Sequence, residues 1–376
     1  MPAVRDHTAS SNNTFIQLYG SKNFRDRIIC STLSGKRIKI DNIRDTVTDT
    51  NTHIGLYEYE INFLRLIELI TDNTIISINS TGTAIKYKPG IITGGYNLTH
   101  QCSLTRGIGY YIEPIIKLLL FAKNIYTDIR FINCITNNNQ DITVDILRTV
   151  TTQLCHKFGI DDKIELRCDI RGAEPLGGGD VYVKIPSVKQ LHSINWCDEG
   201  LVKRVRGLAY TSKCTPQYSN RMIDTTRELL NKLIPDVYIY TDHYKGKNAG
   251  LSSGYAISLV AETTTGVLYS AERCGDIHSN PEVVGNTAAK LLLSEISNGG
   301  CIDTVHQSYI LLLMCLTSED VSKVRLGKLS QYTIECLRLY KLFFNVQFKL
   351  STEPNTHTIF ASCVGTGYKN INRKVA

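Results

Sequence analysis

The chain reads as an α/β protein of more than one domain, on three observations. Segments with a two-residue apolar period alternate along it with segments of helical period. Its 376 residues exceed the size at which one hydrophobic core keeps growing. A glycine-rich turn, Arg171-Gly-Ala-Glu-Pro-Leu-Gly177-Gly178-Gly179, runs directly into the alternating stretch Val181-Tyr-Val-Lys-Ile185, as a tight bend does where it feeds a strand.

Taken in order, residues 1–13 are polar and predict a flexible tail. Strands at 38–40 and 75–78 flank a helix over 57–71, where Ile61, Leu64, Ile67 and Leu69 form an apolar stripe. A helix over 112–123, a strand at 127–132, a helix over 143–158 and a strand at 163–169 follow. Next come a strand at 204–211, a helix opened by Thr215-Pro216, and strands at 236–241, 255–261 and 266–271. In that helix Tyr218, Met222, Leu229 and Leu233 fall near one face before Pro235 stops it, and 244–253 reads as an exposed loop. Asn280-Pro281 is an N-cap with proline at the first helical position; Val284, Ala288, Leu291 and Leu292 face inward, and Gly299-Gly300 ends the helix. A helix over 307–316, a strand at 321–326 and a helix over 332–344 complete the series.

Composition narrows the function classes. With 42 Lys and Arg against 35 Asp and Glu, the formal charge is +7, which permits a nucleic-acid surface without requiring one. Twelve cysteines form no CxxC pair and no zinc spacing with histidine, so reduced thiols, a cytosolic or nuclear setting and no metal site are expected. The apolar run 309–316 is far short of the roughly 20 residues of a membrane span, and no secretory signal is read, so a soluble intracellular protein without membrane partners is expected.

Candidate contacts follow from charge and backbone. The three glycines offer bare N–H groups and positive φ, so with Arg171 they can cradle a phosphate or an RNA backbone; close packing of backbone against backbone is the alternative. Basic clusters stand at Lys36, Arg37 and Lys39, at Lys203, Arg204 and Arg206, and at Lys323, Arg325 and Lys328. Arg338 and Lys341 extend the last group along a helix. Each is a candidate RNA or acidic-partner contact, with a solvated face as the alternative. Strand alternation puts Arg204 and Arg206 on one face and Lys203 on the other. Asp303 and His306 can form an acid–base pair or a helix-start cap.

The glycine turn also carries a resemblance. Arg-Gly-x-x-Pro-x-Gly-Gly-Gly-(Asp/Glu)-Val is similar to the hallmark of the RNA 3′-terminal phosphate cyclase family. The segments 20–28, 87–95, 109–114, 206–210, 220–224, 261–266 and 320–324 resemble its eukaryotic cyclase-like branch, in the same order, between about residues 15 and 350. The resemblance implies three repeated αβ units, each a four-stranded sheet with two helices, plus a smaller αβ domain inserted between the second and third. The expected bounds are 14–185 for units one and two, 186–279 for the insert, 280–350 for unit three and 351–376 for a C-terminal extension.

Active relatives form a covalent histidine–adenylate from ATP. In the matching place this chain has Tyr332, whose phenol, with a pKa of about 10, is ionised to only about one part in a thousand at pH 7. The glycine-rich nucleotide loop of active members is replaced by 22–30, leaving Arg25 and Arg27 as RNA-contact candidates. Their Pro-Gly-Leu-x-x-x-His segment is replaced by 54–60. The resemblance therefore implies a fold kept without cyclase chemistry and without cofactor. It implies a nucleolar factor in early pre-rRNA processing toward 18S rRNA, within the small-subunit processome and partnered by a large ribosome-assembly GTPase. Two alternatives stay open. One is an endoribonuclease using Arg338 and Lys341 with Asp320 or Glu335 as base; the other is a working cyclase.

Overall fold

The computed structural model describes residues 15–46, 53–160, 163–276, 279–353, 356 and 358–374; the tail expected at 1–13 lies outside them. Among the described residues, four four-stranded sheets and one two-stranded pairing of Thr71–Asp72 with Ile91–Ile92 make up the architecture. The first unit runs β1 (Ile16–Tyr19), α1 (Phe24–Ser34), β2 (Ile38–Asp41), α2 (Glu58–Ile70), β3 (Ile75–Ile78) and β4 (Ile85–Lys88). The second runs β5 (Leu98–Gln101), α3 (Gly109–Leu119), β6 (Tyr126–Cys134), α4 (144–156), β7 (Glu165–Ile170) and β8 (Gly179–Pro186). In each, the first two strands are parallel across a helical crossover, and a closing antiparallel hairpin sets its last strand beside the second. Numbered within the unit, the spatial order is 1-2-4-3 both times.

The third unit repeats that order, but its members are not those expected. It opens with β9 (Asn195–Trp196), which pairs parallel with β14 (Val321–Leu326). It continues with α7 (Gln307–Cys315), α8 (Gln331–Phe344), β15 (Lys349–Thr352) and β16 (Ile359–Val364). The presumed extension after residue 350 thus supplies β16, which lies between β14 and β15. The insert interrupts the third unit after its first strand instead of preceding it. It comprises β10 (Val202–Ser212), α5 (Gln217–Leu230), β11 (Val237–Tyr244), β12 (Gly254–Thr263), β13 (Leu268–Cys274) and α6 (Pro281–Asn298). The helix opened by Asn280-Pro281 therefore belongs to the insert: a Cβ on Gly285 would stand 2.3 Å from the Met222 carbonyl, so α5 and α6 touch backbone to backbone. Leu291, expected inside, is 43% exposed on the outer side of α6, and Leu233 lies beyond the end of α5 and is exposed.

Helices α3 and α7 are buried at every position; α7 is almost wholly apolar, and α3 buries its two charged residues, Glu113 and Lys117, as a pair. Each large apolar side chain so sequestered contributes about 1.5–3 kcal/mol relative to exposure. Helix α3 contains Pro114, which has no N–H to give the Tyr110 carbonyl one turn back. The Arg25 guanidinium takes that carbonyl instead, donating at 3.2 Å. One arginine of the first unit thus repairs a helix of the second.

Candidate functional site

Tyr332 is the second residue of α8, which Ser330 caps by accepting from the Thr333 amide at 3.1 Å. Its phenol donates to Asp26 on α1 at 2.8 Å, and burial, with the Asp26 charge beside it, pushes it well above the ordinary tyrosine value. Tyr332 is therefore a neutral hydrogen-bond donor with its partner fixed. The loop before α1 is bound to the same helix. Asn23, in the left-handed region at φ 51°, donates to Glu335 at 2.9 Å, Lys22 pairs with Glu335 at 2.5 Å, and Gln331 donates to it at 3.1 Å.

Arg25 and Arg27, expected as RNA contacts, are spent internally. Arg25 donates to Glu113 at 2.7 Å, and Glu113 also accepts from the fully buried Lys117 at 2.6 Å. Burial alone would raise the Glu113 carboxyl; Lys117 and Arg25 outweigh that and hold it down at about 2. Arg27 donates to the Gly20 carbonyl at 2.7 Å.

The second replaced segment, 54–60, is equally occupied. Glu60, in the family's histidine position, accepts from both terminal nitrogens of Arg44 at 2.9 and 2.6 Å and caps α2 through the Tyr57 amide at 2.8 Å. Around it guanidinium groups and phenol rings form a ladder. Arg44 lies over Tyr57 at 4.0 Å, Tyr57 stacks on Tyr59, Arg106 sits over both Tyr59 and Tyr110, and Arg25 lies over Tyr110. Arg106 is anchored by Asp141 at 2.8 Å. Side chains thus occupy the space around segments 22–30 and 54–60.

The glycine turn has a different role from an anion cradle. Gly177 and Gly178 do take positive φ, but Arg171 is buried, with its terminal nitrogens on Asp145 at 2.7 Å each and on Asn137 at 2.9 Å. Its guanidinium lies over Tyr210 and Tyr244 of the insert, at 4.4 and 5.2 Å. The backbone around it is stitched to the insert. Arg171 N donates to the Asn248 carbonyl at 3.1 Å, Gly250 N to the Arg171 carbonyl at 2.6 Å, and Leu251 N to the Gly177 carbonyl at 2.9 Å. A Cβ on Gly178 would meet Leu251, and one on Gly179 would meet the Cys134 carbonyl. The three glycines serve close packing, and the loop at 244–253, exposed over 245–248 as expected, has Gly250 and Ser252 buried.

Most of the basic clusters are neutralised in place. A register shift between Val202 and Arg204 lets Lys203, expected on the opposite face, reach Glu262 at 2.6 Å alongside Arg204. Arg206 pairs with Asp236 at 2.8 Å. Arg325 is held by Glu353 and by Thr358 at 3.0 Å, and Lys323 lies over Phe360 at 4.6 Å. Lys323 and Arg325 project from the face of their sheet opposite the buried Val324 and Leu326, so α8, with Arg338 and Lys341, does not continue their patch. Arg338 and Lys341 are exposed and, among the described residues, have no ion-pair partner. The expected bases are engaged: Glu335 by its three donors, and Asp320 by Ser193 at 2.9 Å and the Val321 amide at 2.7 Å. His306 is a buried latch, bonded to Asp303 at 2.6 Å and to Thr151 at 2.9 Å through its two ring nitrogens. Among the described residues no group of three or more His, Cys, Asp or Glu is placed to hold a metal ion. No helix there is long and apolar enough to cross a membrane.

Two clefts border the insert. One of about 240 Å³ is lined by Asp141, Ser270, Glu272 and Glu295. There Glu272 accepts from the amide and hydroxyl of Thr143, the N-cap of α4. Burial pushes its carboxyl up to about 8, against those two hydrogen bonds. With the folded value above the ordinary 4.5, the stabilisation is complete below pH 4.5 and disappears as pH rises through 8. Thermal melts of Glu272→Gln are therefore expected to lose part of the decline the native chain shows between pH 5 and 8.5; identical pH profiles for the two proteins would refute this. The other cleft, about 560 Å³, lies between α4 and the open face of the inserted sheet.

Three 1-2-4-3 sheets with an insert within the third are consistent with a cyclase fold. The sequence model of the family described as RNA 3′-terminal phosphate cyclase matches residues 16–350, and the chain belongs to that family. It is 48% identical to a "Probable RNA 3′-terminal phosphate cyclase-like protein" of Dictyostelium discoideum, over 95% of this chain and 99% of the relative. It is 44% identical to the RNA 3′-terminal phosphate cyclase-like protein of Homo sapiens, over 94% and 97%. With the rRNA processing protein RCL1 of Saccharomyces cerevisiae it shares 35% identity, over 98% and 100%.

Proposed function

We propose that this chain is a ribosome biogenesis factor for the small (40S) subunit, acting in pre-rRNA processing toward 18S rRNA, with the cyclase fold but without cyclase activity. The observation that carries the second half is the Tyr332–Asp26 hydrogen bond. A phenol held neutral by burial cannot replace an imidazole as the group that takes adenylate. The name of the Saccharomyces relative, an rRNA processing protein, supports the pre-rRNA part of the first half. On this reading the protein works in the nucleolus, within the small-subunit processome, beside a large ribosome-assembly GTPase. Its fold acts as a binding body; function resides in surfaces, not in the inherited centre.

Incubation of the purified chain with labelled ATP is expected to leave no label on the denatured protein, with native Tyr332 and equally with Tyr332→His, because the nucleotide loop is also replaced. A covalent adduct on the native chain would overturn the reading. In cells depleted of their own copy, the chain is expected to restore 18S rRNA; depletion without an 18S defect would overturn the biogenesis role. The engaged carboxylates of Asp320 and Glu335 give the endoribonuclease alternative no free base.

A further inference from the structure

The insert's own helices, α5 and α6, pack on one face of its sheet. Val205, Ala209, Val237 and Ile239 are buried toward α5, whereas Arg206, Leu208, Tyr238 and Tyr240 point the other way in matched register. Helix α4 stands across part of that second face and leaves the larger cleft between them. Its floor is the backbone of Gly207 with Leu208, Val260 and Leu268; its far wall is Arg148, Thr149 and Gln153; its lip is Tyr240. Tyr238 braces Tyr240 edge-on at 4.6 Å, and both rings are 55% exposed.

Two features of the wall suit a ligand. The turn bearing Arg148 and Thr149 is a π segment, Leu147–Thr151, a departure from regular helix that is frequent at functional sites. It presents Arg148 half-exposed, with its nearest carboxylate oxygen, on Asp145, 3.6 Å away and already bonded by Arg171 at 2.7 Å. Arg148 is thus a cation in surplus, while Arg204 and Arg206 at the rim are oriented by Glu262 and Asp236. An apolar floor beside an exposed phenol ring receives the flat face of a base, and a guanidinium beyond it receives a phosphate. A duplex offers no free base face, and an acidic peptide would leave floor and tyrosines without partners.

We infer that this cleft holds a nucleotide of single-stranded RNA, its base on Tyr240 and the Gly207–Leu208 floor and its phosphate at Arg148. The inference rests on the pre-rRNA reading above and gives it a location. The test is fluorescence anisotropy of short labelled oligouridine and oligoadenosine with the full chain across a salt series, with polyglutamate as competitor. Tyr240→Ala is expected to weaken binding about ten-fold or more, and Tyr240→Phe to bind as the native chain does. Arg148→Gln is expected to flatten the slope of log affinity against log salt by roughly 0.7. Melting curves verify that these surface variants fold. RNA affinity unchanged in both Tyr240→Ala and Arg148→Gln overturns the proposal. So does polyglutamate binding as tightly as RNA through the same residues, which would make the cleft an acidic-protein site. The two readings separate: cleft-dependent RNA binding without an 18S defect on depletion leaves this inference standing and removes the biogenesis role. An 18S defect with normal RNA binding by the variants does the reverse.

Discussion

Arg171→Met is expected to lower the unfolding free energy by about 3–5 kcal/mol, measured by equilibrium denaturant unfolding. Arg171 and Asp145 keep 2% and 4% of their side-chain surface, and two hydrogen bonds of 2.7 Å join them. Methionine fills much the same volume, so packing is not the main loss. The loss is that Asp145 keeps its charge in a buried place, with only Asn137 and the more distant Arg148 to offset it. The pair itself is worth much less than breaking it costs, since Arg171 Nε has no partner and both ions gave up water. The double variant Arg171→Met/Asp145→Leu is therefore expected to recover at least half of the loss, a non-additivity that a double-mutant cycle reads directly. A cost below about 1 kcal/mol for Arg171→Met would show that the guanidinium is not what neutralises Asp145.

That prediction marks where the sequence was legible and where it was not. Arg171 beside three glycines suggested an anion site because its partner, Asp145, stands 26 residues earlier, on α4, and carries no local signal. The same holds for Tyr332 and Asp26, 306 residues apart. Tyr332 was readable as a disarmed nucleophile from its position; what holds it neutral was not. Glu113 and Lys117 are spaced i, i+4 on a helix, but only the packed structure shows that Arg25 completes the trio and supplies Pro114's missing donor.

Among the elements, the exposed-to-buried contrast decided legibility. Strand β14 and helix α2 stood out by period, although in α2 the buried edge runs through Leu66 and Ile70, not Leu69. Helix α1 did not stand out: Cys30, Ser31 and Thr32 are indifferent helix formers, and burial on several sides blurs its stripe. Strand β9 is two residues long, too short for any period. Because it opens the third unit, missing it moved the insert's start too early, and α6 was assigned to the wrong sheet.

Gly250→Ala is the second substitution expected to have a large effect, and it acts by collision instead of charge. A Cβ there would lie 2.4 Å from the Gly177 carbonyl oxygen, 2.6 Å from that of Arg171 and 3.0 Å from the Gly172 Cα. All three are backbone atoms, fixed by the ladder that joins this loop to the glycine turn, so no rotamer change relieves the contact. A cost of about 2–3 kcal/mol, the upper part of the range for overpacking, is expected. Lys245 and Lys247 are already exposed, so the expected change is in mobility: the loop should part from the body and be cut faster by trypsin after these two residues. Gly266→Ala provides the contrast. That turn has φ +82° with nothing within 4 Å, so the added methyl costs about 1–2 kcal/mol in backbone conformation alone and leaves the junction closed. If the two variants lose similar stability but only Gly250→Ala is cut faster after Lys245 and Lys247, the glycines at 177–179 and 250 act as the seam of the insert. Equal cleavage in both would mean that the seam is not what keeps that loop in place.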